Sequence, residues 1–173
     1  MNHEAVRELG QALTQALLGL ERLHGELVEV IDDKIEHMRR ANVAGMNECV
    51  DRERRLVRTI GQQEGQRRVA VERLGRAFGM ASRKARTLTA SQLAQRLPED
   101  SGQLLLSVAG RLKTLTDRAT RRNHVAGSLG RGMLAHMDGI VSAMTAPKRQ
   151  GEAYSDRGRS VAHSPQRLFE TVG

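Results

Sequence analysis

Four groups of residues have the types and spacing for chemistry. Glu21-Arg22-Leu23-His24 fits the Glu-x-x-His pattern, which sets two metal ligands on one helix face. Di-metal bundles need two such motifs and further carboxylates, and no other His here has an acidic residue three positions before it. Glu21 and His24 therefore read as solvated side chains. His136 lies on an apolar helical register and reads as a packed, hydrogen-bonded histidine at a bundle end. The one cysteine, Cys49, has no histidine close in sequence and reads as a small apolar residue. Gly127–Gly132, "GSLGRG", looks like a phosphate loop but lacks the Gly-Lys-Ser/Thr ending and a preceding strand. No catalytic, metal or cofactor constellation survives, so the chain does not read as an enzyme.

Two further groups suit binding. Leu129, Met133, Met137, Ile140, Val141 and Met144 cluster near the end of the last predicted helix. Methionine adapts its shape to exchangeable partners; the same residues could instead simply close a bundle. The single tyrosine, Tyr154, sits in "EAYSDRGRS", a polar segment without period. A lone aromatic there is what a short linear motif uses as an anchor.

The elements that carry these residues follow from composition and period. Aromatics make up 2% of the 173 residues, without tryptophan, which favours long helices packed along a narrow aliphatic seam over a sheet protein. One cysteine allows no internal disulfide framework. Neither a signal peptide nor an apolar run of membrane-spanning length is predicted, and the protein reads as cytosolic. The fold class is all-α, a bundle or coiled coil of long antiparallel helices.

Leu9, Leu13, Ala16, Leu20, Leu23, Leu27 and Val30 recur at steps of four and three, predicting a helix over 4–40. Asn42 and Gly45 supply the turn, and Asn47 the cap of a second helix over 46–78. The seam of that helix carries Glu53, Glu64 and Arg67 at its middle, beside Gly61 and Gly65, so a soft or bent centre is expected. Gly79 stops it. "TASQ" is a capping box, with Thr89 as cap and Gln92 three residues on, and opens a short helix over 90–96. Pro98, Glu99 and Asp100 mark the first turn of a last helix over 99–145. Its register, from Leu105 to Ala143, is broken only by Arg122 and His136. Residues 1–146 thus form a helical bundle, and 147–173 a disordered tail with a binding motif.

The formal charge of +8 is uneven: residues 1–50 carry −4 and residues 51–97 carry +8. Neighbouring antiparallel helices of opposite charge would show this pattern. A nucleic-acid footprint is the alternative, but the aromatics that would stack on bases are missing. A structural coiled coil that associates only with itself is a third reading.

The order of features resembles the FlgN family of flagellar export chaperones over nearly the whole chain. After the Leu-repeat helix, "VAGMNECVDRERRLVRTI" is similar to the family's turn and second helix, and "TLTASQLAQRLPED" to its short connecting helix. "RRNHVAGSL" is similar to an Asn-centred stretch of the last helix, and "EAYSDRGRS" to the tail signature. Departures are the lone Asn123 and the Ser155 that stands where Gly is common. The resemblance implies a cytosolic type III secretion chaperone without ATPase activity. Its cargo would be unassembled hook-associated (hook–filament junction) proteins of the FlgK and FlgL type, held by the last helix end and the tail. Delivery would be to the export gate protein FlhA, with Tyr154, Ser155 and Gly158 as the docking motif. Self-association remains open; nucleic acid, cofactors and direct membrane insertion are not expected.

Overall fold

The computed structural model describes residues 3–145. They form α1 (His3–Arg39), α2 (Val43–Ala77), α3 (Ser82–Ala85), α4 (Ala90–Ala94) and α5 (Glu99–Thr145). The chain divides into two compact units, residues 1–130 and 131–173, and α5 supplies residues to both.

In the first unit α1 is the shared helix. The predicted seam is where its core lies: Leu13, Ala16, Leu20, Leu23 and Val30 are buried. A second set, Val6, Leu17, Val28, Ile31 and Ile35, is buried too, because α1 meets α2 on one side and α5 on the other. Lys34 of α1 pairs with Glu53 of α2, and Arg52 with Asp33, while Gln63 donates to the Ala16 carbonyl. Numbers that rise on α1 as they fall on α2 make this pair antiparallel. Arg111 pairs with Glu21, and Arg118 and Arg122 with Asp32, so α5 runs parallel to α1.

These pairs modify the charge expectation. Arg52–Asp33 sets a basic α2 side chain on an acidic α1 one, but α5 supplies three arginines to α1. Arg22 and Arg39 of α1, with Arg40 just after it, pair with its own Glu26 and Glu36. Arg122, a break in the apolar register of α5, is half-buried and spent on Asp32. One turn of α1, Asp32-Asp33-Lys34, therefore bonds both neighbouring helices.

The core is in two clusters. The first joins all three long helices and α4: Leu13, Leu17 and Leu20 meet Val71, Leu74, Leu93, Leu97, Leu105 and Val108. The second is built from α1 and α5 alone, with Val28, Ile31 and Ile35 against Ala119 and Ala126. Between Cys49 and Val71, α2 has no fully buried residue, and its seam there mixes Val50, Val57 and Ile60 with the charged Glu53, Glu64 and Arg67. The two charged positions at 64 and 67 pair with each other at 2.9 Å.

The turns show where local chemistry wins. The α1–α2 connection is tighter than predicted. Ala41 takes the left-handed conformation (φ 52°), and Asn42 itself caps α2, its side chain accepting the Gly45 N–H at 3.1 Å. Asn47 is thus not the cap; it lies exposed inside α2, and Gly45 is buried in the first turn of that helix rather than in the loop. At the far end Gly79 (φ 79°) terminates the chain's turn out of α2, as only glycine does without strain. The Thr89 capping box forms, with both reciprocal hydrogen bonds present. The four-residue α3 was not apparent from the period. It is held because Gly75 lets it approach: a Cβ at Gly75 would stand 2.5 Å from the Ala85 Cβ.

Candidate partner-binding helix

The chemistry considered at the start finds structural uses. Glu21 stays partly exposed and is also paired: its carboxylate accepts two hydrogen bonds from Arg111, at 2.6 and 3.0 Å. His24 turns its Nδ1 to the Leu20 carbonyl at 2.9 Å. No three His, Cys, Asp or Glu among the described residues are grouped to hold a metal. Cys49 is buried, and that burial, with Asp33 nearby, pushes its thiol pKa up, away from the reactive thiolate. "GSLGRG" is continuous helix within α5. A Cβ at Gly130 would lie 3.9 Å from Met38 Cε and one at Gly132 would meet nothing, so neither glycine serves a close helix approach.

A groove of about 770 Å³ runs between α1 and α2, lined by Leu9, Ala16, Gln62, Gln66, Val69 and Arg73. It contains side-chain amides and one guanidinium, with no nucleophile or general base among them. No helix of the described residues is long and apolar enough to cross a membrane.

The end of α5 is different. Within residues 131–145, at about 100° per residue, Met133, Leu134, Met137, Ile140, Val141 and Met144 fall within an arc of about 120°. The opposite arc carries Gly132, Ala135, Gly139, Ser142 and Ala143. The helix thus presents one broad face of long apolar side chains and one of small ones. The apolar face is uncovered: Leu134 is 64% exposed, Met137 60%, Val141 58% and Met144 80%. Ile140 is also exposed and Met133 half-buried.

Of the six residues singled out by sequence, Leu129 stands apart. It belongs to the first unit and packs half-buried on the second core cluster, so it does help to close the bundle. The other five share the exposed face. Leu134 completes that face and was missed. It is off the line through Met133 and Ile140, but the spacing 134–137–141–144 was there to be read. His136 is exposed beside the face, not packed as expected. Tyr154, Ser155 and Gly158 lie outside the described residues.

The FlgN family model, described as FlgN protein, matches residues 1–162, a span that includes both the apolar face and Tyr154. No curated protein matches the chain. No solved structure matches it either.

Proposed function

Since the chain belongs to the FlgN family, a family of flagellar export chaperones, we propose that it binds unassembled hook–filament junction proteins of the FlgK and FlgL type in the cytoplasm. It then delivers them to the export gate protein FlhA. The observation that carries this reading is the uncovered face of Met133, Leu134, Met137, Ile140, Val141 and Met144. A cargo helix with its own apolar stripe can lie along it, in the helix-to-groove manner, and leave that stripe unable to assemble or aggregate. Methionines suit the task because their unbranched side chains re-pack against more than one cargo. The chaperone works by burial and release, without a chemical step of its own. Tyr154, with Ser155 and Gly158, is the proposed gate-docking motif.

The test is co-purification with a junction protein. Met137→Glu with Val141→Glu changes two exposed residues, so the thermal midpoint should stay put. Two carboxylates forced into an apolar interface should weaken capture roughly 100-fold, about 3 kcal/mol in all. Undiminished capture would place the cargo site elsewhere. Truncation after Ala146 should preserve the fold and reduce FlhA binding; normal delivery by the truncated chain would end the case for Tyr154.

A further inference from the structure

The chain's net positive charge is densest between Arg67 and Leu97, where eight basic residues accompany a single acidic one, Glu72. That carboxylate is already spent. It accepts hydrogen bonds from Arg76 at 2.5 Å and Arg86 at 2.8 Å, and Arg76 also donates to the Ser82 hydroxyl at 2.9 Å. Guanidinium groups from α2 and from the residue after α3 are thereby fixed side by side. Around them Arg73, Arg83 and Lys84 are exposed and, among the described residues, have no ion pair. Between Arg76 and Arg83 the chain turns through Gly79-Met80-Ala81, which carries no charge.

We propose that this corner, the end of α2 with the turn and α3, docks on the surface of an anionic lipid bilayer. Its chemistry separates that partner from two others. A protein interface is anchored by desolvated apolar or aromatic residues, and between residues 67 and 97 Val69 is the only large apolar side chain that is as much as half open to solvent. Single-stranded nucleic acid is held by aromatic stacking, and Phe78, the aromatic of this corner, is half-buried against the core. The four-residue α3 is too short to read a duplex groove. What is left, guanidinium and ammonium charge around a short uncharged turn, matches the diffuse phosphate layer of a bilayer. The inference is independent of the cargo face on α5.

The experiment is co-sedimentation of the full chain with vesicles of phosphatidylcholine alone and of equal parts phosphatidylcholine and phosphatidylglycerol. Parallel arms use duplex and single-stranded RNA at the same salt. Binding is expected only with phosphatidylglycerol, and it should fall as salt shortens the screening length. The triple variant Arg73→Gln, Arg83→Gln, Lys84→Gln should keep its thermal midpoint and bind vesicles roughly 100-fold more weakly, at about fivefold per charge. No binding to phosphatidylglycerol vesicles, equal binding to the neutral ones, or an unaffected triple variant would overturn the proposal. So would RNA binding tighter than vesicle binding.

Discussion

Lys34→Met is the substitution that most directly tests how the bundle is held. The Lys34 side chain is 8% exposed, between buried Ile31 and Ile35, and its ammonium meets Glu53 of α2. Methionine keeps most of the aliphatic stem, so the change isolates the charge. Removing one partner of a fully buried pair costs about 3–5 kcal/mol, because the other charge is stranded. Glu53 retains 20% of its side-chain exposure, and water can partly solvate the orphan, so a loss of about 2–3 kcal/mol is expected. Against a total of about 5–15 kcal/mol for a domain, that is a large fraction. In urea, with a slope of about 1.5 kcal/mol per molar, the midpoint followed by circular dichroism should drop by more than about 1 M. The double variant Lys34→Met, Glu53→Met should recover most of it, since an apolar pair can replace a buried ion pair at little cost. A single variant within about 0.5 kcal/mol of the parent, or a double variant showing no coupling, would refute the reasoning.

Gly75→Ala should destabilise by about 1–3 kcal/mol through overpacking, because its Cβ would stand 2.5 Å from the Ala85 Cβ and 2.8 Å from the Ala85 Cα. The same change at Gly65, where a Cβ meets nothing within 4 Å, should stabilise by about 1 kcal/mol through helix propensity; thermal unfolding of the two variants compares them. Arg86, and after it Arg76, holds the Glu72 carboxyl below its ordinary range. That contribution is complete above the unfolded carboxyl's pKa and is lost as pH falls through the lower folded value. Hydrogen-exchange protection of residues 82–86 should therefore persist down to about pH 4 and decline only below it. Loss near neutrality would contradict the assignment.

Much of the bundle was legible because its determinants are local. The spacing of Leu13, Leu20 and Leu23 marks the core of α1, and Thr89 with Gln92 marks the start of α4. Failures came where one residue serves two elements or where tertiary contact decides. Asn42 both ends the turn and caps α2, so no second polar residue was needed and the helix began earlier than Asn47. The α3 turn depends on a glycine seven residues before it, in another helix. A single seam was read on α1, yet Val28, Ile31 and Ile35 are buried as well because a second helix covers them. For Glu21, a partner 90 residues away turned an apparently solvated carboxylate into an inter-helix contact. The apolar face on α5 was read from its methionines, and only exposure separated Leu129, which packs, from Met137 and Met144, which do not.

The turn Asp32-Asp33-Lys34 also governs how the bundle can move. Successive side chains on a helix diverge by about 100°, so one turn engages neighbours on two sides at the same height. Lys34 is the sole Lys or Arg of α1 between Arg22 and Arg39. If α2 slid by one turn, about 5.4 Å, Glu53 would leave its cation for Val30 and Ile31 in one direction or His37 and Met38 in the other. A like shift of α5 would put one of Arg118 and Arg122, which lie one turn apart, in the other's place, leaving Asp32 one arginine instead of two. The triplet acts as a key in a keyway for α2: sliding along the helix axis costs Glu53 its cation in both directions. Helix α5 is held less strictly because its two arginines can exchange places, and splaying of α2 about its thinly buried centre is opposed least.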